Sequence, residues 1–196
     1  MTTKQKERGF IRDLKTVPSS IFIIFSIMSV IASFVVYGFS LKAVVTGLLS
    51  VLLSACASSD IKAGIVPDFI VCLIACVAVL SYFLFNPITV INIADKFAGA
   101  FVVAVPMLLC SLIIKGAYGG GDIKMMAACG LYLGWRLTFA GTAIAFLFAG
   151  LYAVVLFIRR KADRQTRIPM APFLALGVFF ASLFGENAIR LLIGYS

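Results

Sequence analysis

The 196-residue chain is 62% hydrophobic and only 13% charged, with a mean hydropathy of +1.11. Ordinary soluble domains carry roughly 25% charged residues, so these proportions exclude a soluble domain and describe a polytopic membrane protein. Seventeen Lys and Arg against eight Asp and Glu leave a net charge of +9, which suits anionic lipid headgroups rather than nucleic acid in so apolar a chain; the absence of histidine rules out His-based triads, His-ligated zinc and the HExxH class.

In chain order, Met1 to Ser19 is a basic tail holding Lys4, Lys6, Arg8, Arg12 and Lys15. Phe10 and Ile11 suggest a short surface-lying segment, and Pro18 closes the tail. No small-residue cleavage site follows the first apolar run, Ile21 to Phe39, which is expected to stay as an anchor. Leu41 to Ser58 reads as a second span and Pro67 to Phe85 as a third, with the polar loop Ser59 to Asp68 between them and Pro67 suited to the first turn of the next helix. A polar link from Asn86 to Lys96 leads to a fourth span, Phe97 to Ile114, where Pro106 predicts a kink.

After Lys115 and the run Gly119-Gly120-Gly121-Asp122 comes a short apolar helix, Ile123 to Trp135. It is too short for a full hydrocarbon core of about 30 Å, so either it extends past Arg136 or the membrane thins there. Leu137 to Ile158 is the sixth span, followed by a basic loop from Arg159 to Arg167, and Met170 to Ile193 is the seventh. Glu186 and Arg190 stand four apart in the order of a helical ion pair. The five cysteines, Cys56, Cys72, Cys76, Cys110 and Cys129, form no CxxC pair and read as small apolar packing residues.

With the N-terminus cytoplasmic and seven crossings, 13 of the 17 basic residues fall on the cytoplasmic side, as the positive-inside rule requires. Asp60 and Asp122 then share that side, each at the junction of a loop and a span. Each also has a bland reading: Asp122 as a helix N-cap after the glycines, and Asp60 as a solvated loop residue balancing Lys62. Asp68, after Pro67, suits a helix start. Three consecutive glycines permit φ > 0 and a close approach by another backbone, such as a peptide substrate. Two neighbouring carboxylates cannot both ionise cheaply, so they can share one proton and divide acid and base roles in hydrolysis without metal or cofactor.

Three blocks resemble the type IV prepilin peptidases, the GxGD aspartic proteases of the bacterial inner membrane: Asp60-Ile-Lys62-Ala-Gly-Ile-Val-Pro67-Asp68, Gly119-Gly-Gly121-Asp122-Ile-Lys124, and Ile168-Pro169-Met-Ala-Pro172. The resemblance runs from about Leu41 to the C-terminus. It implies an all-α six-helix GxGD core at 41–196, preceded by a tail and an added transmembrane helix at 1–40. It also implies Asp60 and Asp122 as the catalytic pair and Gly119 and Gly121 as motif glycines, with Lys62, Lys124, Pro67, Asp68, Pro169 and Pro172 carried in the matching blocks. The implied partner is a prepilin-like precursor whose short basic leader is removed at the cytoplasmic face. The N-terminal domain with paired CxxC motifs found in long family members does not appear, so methyl transfer is not expected; the first span looks like a plain anchor. The rival readings are an ion-coupled transporter using the two aspartates, a GxGD protease that cuts inside transmembrane helices, and an inactive assembly scaffold.

Overall fold

The computed structural model describes residues 19–85, 89–114, 117–159 and 168–193, with side chains for all of these except 19 and 186–193. The basic tail 1–18, Lys115, most of the basic loop (160–167) and the Glu186/Arg190 pair lie outside the residues or side chains described. Seven helices make up the described fold: α1 (Ser19–Tyr37), α2 (Leu41–Ala63), α3 (Asp68–Phe85), α4 (Val90–Ile113), α5 (Gly120–Leu133), α6 (Trp135–Ile158) and α7 (Ala171–Ile193). No strand occurs among the described residues, and the protein is an all-α polytopic membrane protein. Helices α1 to α4 and α6 are each long and apolar enough to cross a membrane.

Helix boundaries follow local chemistry. The Ser40 side chain caps α2 by accepting from the Ala43 amide at 3.3 Å, and Gly64, at φ +67°, ends it. Asp60, expected at the junction of the span and the polar loop, therefore sits inside the last turn of α2, and the loop starts later than the expected Ser59. Thr89 caps α4 in the same way, through Asn92. Most of the expected polar link from Asn86 to Lys96 is thus helical, and α4 continues through Pro106 to Ile113. Helix α5 does not extend past Arg136: Gly134, at φ +83°, breaks the chain there and α6 starts at Trp135.

Helix α5 is the centre of the bundle, packed against α3, α4, α6 and α7. Met125, Met126 and Cys129 on it are fully buried with Leu49, Leu53, Ile74, Leu174 and Val178. Cys56 is buried as well, and Cys72, Cys76 and Cys110 are exposed apolar-surface thiols; all five are unbridged. Two backbone-to-backbone crossings allow such close packing. Gly99 of α4 lies against Gly130 of α5, and Gly141 of α6 against Gly177 of α7, where a side chain would overlap main-chain atoms.

Helix α1 is more than an anchor in the bilayer. Its buried Ser29 donates to Ser50 of α2 at 2.9 Å, Ser26 bonds Ser54, and the Tyr37 hydroxyl donates to the Ser182 carbonyl of α7. Its other face, with Ile24, Met28 and Val35, is exposed and apolar, as suits lipid.

Candidate active site

Four chain segments meet at one end of the bundle: the last turn of α2, the starts of α3 and α5, and the start of α7. The meeting follows from direction, since α3 and α5 begin side by side while α7 begins against the end of α2. Three helix N-termini, each carrying a partial positive charge, therefore lie at the same end of the bundle as the last turn of α2.

Asp60 is 9% exposed, and its Oδ2 accepts a hydrogen bond from the Ala171 amide at 3.1 Å. The motif before α7 explains why that amide is available. The Met170 carbonyl accepts from Phe173 and Leu174, both at 3.1 Å, so the helix begins at Ala171. Pro172, in the first turn, has no N–H to offer, and Pro169 precedes the cap. The solvated-loop reading of Asp60 is thus replaced by a buried, helix-held carboxylate on a helix terminus.

Asp122 is 7% exposed and occupies the third position of α5. Gly119, not Asp122, is the N-cap residue, and it makes no side-chain cap bond. Burial first, and then the nearby negative charge of Asp60, push the Asp122 carboxyl up to about 6, against the opposing effect of a hydrogen bond with the Gly119 backbone. Its Oδ1 is buried without a hydrogen-bond partner among the described residues, an uncommon condition for a native polar atom. Among the described residues no Cα of α2 comes within 8 Å of a Cα of α5; Asp60 nonetheless lies near enough for its charge to act on Asp122. The Cys56 thiol, one turn before Asp60, lies within electrostatic reach of both.

The glycines do not adopt the left-handed conformation that their sequence permits. Gly119 has φ −72°, and the described glycines with positive φ are Gly38, Gly64 and Gly134. Their use is proximity within the chain itself. A Cβ on Gly121 would lie 2.8 Å from the Val66 Cβ and 3.1 Å from the Val66 carbonyl oxygen, and one on Gly119 would lie 3.3 Å from Asp122 Oδ2. Nothing lies within 4 Å of the same position on Gly120. Space alone thus separates the first and third glycines from the second.

The other matching residues gather at the same end. Lys124 Nζ donates to both oxygens of Asp68, at 2.9 and 3.0 Å, tying the start of α3 to the first turns of α5. The Pro67 carbonyl accepts from Ile70 and Val71 at the start of α3, and Lys62 stands exposed on the last turn of α2. Neither the Ala171 amide nor Val66 stands out in the sequence, since neither carries chemistry in its side chain. The paired prolines before an apolar run were the available signal for the first.

The model of the type IV leader peptidase family matches residues 47–154. Among curated proteins the chain is similar to a "Prepilin leader peptidase/N-methyltransferase" of Bacillus subtilis (strain 168), 30% identical over 87 residues, covering 44% of this chain and 35% of that protein. A protein of the same name from Aeromonas salmonicida (strain A449) is 30% identical over 76 residues, 39% of this chain and 26% of that one. That of Legionella pneumophila is 31% identical over 81 residues, 41% and 28%. The matches thus span about a third or less of the length of these relatives. No solved structure matches.

Proposed function

The chain belongs to the type IV leader peptidase family, and from that premise we propose that it is a membrane aspartic endopeptidase that removes the short basic leader of prepilin-like precursors, with Asp60 and Asp122 as its acid/base pair. The observation that carries this reading is the pair of buried carboxylates at the meeting of three helix N-termini, one with an oxygen left unpartnered. Asp122, whose proton is held by burial and by the charge of Asp60, keeps the shared proton, and Asp60 is the base. In the first step Asp60 takes a proton from water as the water oxygen bonds to the peptide carbonyl carbon, while Asp122 protonates the carbonyl oxygen. In the second step that hydroxyl returns its proton to Asp122, the C–N bond breaks, and Asp60 delivers its proton to the leaving nitrogen. Both carboxyls end in their starting states.

Residues 41–196 form the peptidase unit in this proposal and 1–40 an appended tail and helix, in a bacterial cytoplasmic membrane with the N-terminus and the aspartates on the cytoplasmic side. Gly119 and Gly121 set the backbone of the site, and Pro67, Pro169 and Pro172 set the helix starts around it. Lys62, Lys124 and Asp68 lie at its mouth, where the leader would pass. Methyl transfer, part of the relatives' name, is not assigned to this chain.

The test is processing of a type IV prepilin-like precursor in membranes containing the wild type, Asp60→Asn or Asp122→Asn. The wild type is expected to remove the leader, and each amide variant to lose at least about 10²-fold in rate while still inserted and folded. Processing by both variants at the wild-type rate would refute the pair.

A further inference from the structure

The end of the bundle opposite the aspartates holds a second arrangement that leader cleavage does not use. Helix α5 has 14 residues, about 21 Å at 1.5 Å per residue, against a hydrocarbon core of about 30 Å. It stops at Gly134, whose Cα lies against the Asp95 carboxylate of α4, and Trp135 and Arg136 follow at once. Lys96 Nζ donates to the Tyr132 carbonyl at 2.7 Å in the same region. Asp95, Lys96, Trp135 and Arg136 thus gather at one level, around the end of α5 and the start of α6.

A shallow, open apolar depression of about 530 Å³ starts at this level on the outer face of α4, lined by Ala98, Phe101, Val102, Val105 and Pro106 and bounded at one end by Trp135 of α6. From Ala98 to Pro106 it follows α4 for eight residues, about 12 Å, towards the membrane centre. The Arg136 guanidinium lies 5.4 Å from the centre of the Trp135 ring, so a cation is held against the aromatic wall at the groove mouth. Indole and guanidinium together at an apolar slot match the ester and phosphate level of a lipid, and the slot matches its chain.

We propose that this groove binds one anionic phospholipid of the leaflet opposite the aspartates, its phosphate on Arg136 and one acyl chain along Phe101, Val102 and Val105. The bound headgroup supplies Arg136 with a polar contact at the start of α6. Asp95 lies at the same mouth, turned onto Gly134.

Trp135 is the single tryptophan of the chain, so its fluorescence reports on this groove directly and without any catalytic assay. The full-length protein in phosphatidylcholine nanodiscs would receive increasing fractions of phosphatidylglycerol with dibrominated acyl chains, each compared with matched unbrominated lipid. Expected is saturable quenching at brominated fractions well below those at which a freely mixing lipid would quench equally. Arg136→Gln should raise the half-quenching fraction about fivefold, Arg136→Lys should restore much of the difference, and Ala98→Phe, which fills the slot, should remove the saturable part. Quenching that simply tracks the brominated fraction in the wild type would overturn the proposal. So would a wild-type curve from either Arg136→Gln or Ala98→Phe.

Discussion

Gly121→Ala should disable the site while barely changing the composition of the chain. The added Cβ would stand 2.8 Å from the Val66 Cβ and 3.1 Å from its carbonyl oxygen, where carbon atoms prefer 3.5–4.0 Å, so roughly 1 Å of movement is needed. Val66 cannot yield easily. It is buried, Pro67 fixes the backbone after it, and the Asp68–Lys124 pair holds that loop to α5. Overpacking of this kind costs about 1–3 kcal/mol of stability. The displacement is delivered to Asp122, the next residue, and a misplacement of about 1 Å at a reacting group can cost about 10²-fold in rate. The control lies one residue away: Gly120→Ala meets nothing within 4 Å, and in the first turn of a helix it should be neutral or stabilising by up to about 1 kcal/mol. Precursor processing in membranes and thermal unfolding in detergent read both effects. Equal losses from the two alanines, or full activity of Gly121→Ala, would refute the proximity argument.

Three further outcomes are expected. Because the Asp122 carboxyl sits at about 6, above the ordinary 3.8, the folded state favours its neutral form; its contribution is fully present below about pH 4 and is lost as pH rises through 6. Asp122→Asn, always neutral, should match the wild type near pH 4 and exceed it above pH 6 by at most about 3 kcal/mol, measured by denaturant unfolding in detergent across that range. Lys124→Ala and Asp68→Ala should each lower stability by less than about 1 kcal/mol, since the pair is largely exposed. The double variant should lose less than the sum, and raised salt should erase the difference. Ser50→Leu, at 1% exposure between α1 and α2, should force the two helices apart and destabilise by about 1–3 kcal/mol, seen as new protease sensitivity in α1, whereas Ser50→Ala should cost about 1 kcal/mol.

Charge and hydropathy made the helical plan legible because they act through the bilayer, which responds to length and sign and not to packing detail. The same count predicts Asp60 and Asp122 on one side of the membrane. What stayed hidden depends on neighbours distant in sequence. The glycine run announces freedom to take φ > 0, yet none of its three glycines does so, Gly119 standing at φ −72°, and Gly121 is small because Val66, 55 residues earlier, lies against it. Asp60 reads as a residue at the junction of span and loop because Ser58, Ser59 and Lys62 are polar; α2 nevertheless runs one turn further, to its cap at Gly64, and brings the carboxylate to the amide of Ala171. No pattern within either segment encodes that meeting, since the Ala171 donor is main chain and its side chain is featureless. The two prolines beside it matter through where they let a helix begin, so their effect on the site is positional: moving that start by one residue would turn a different amide, or none, toward Asp60.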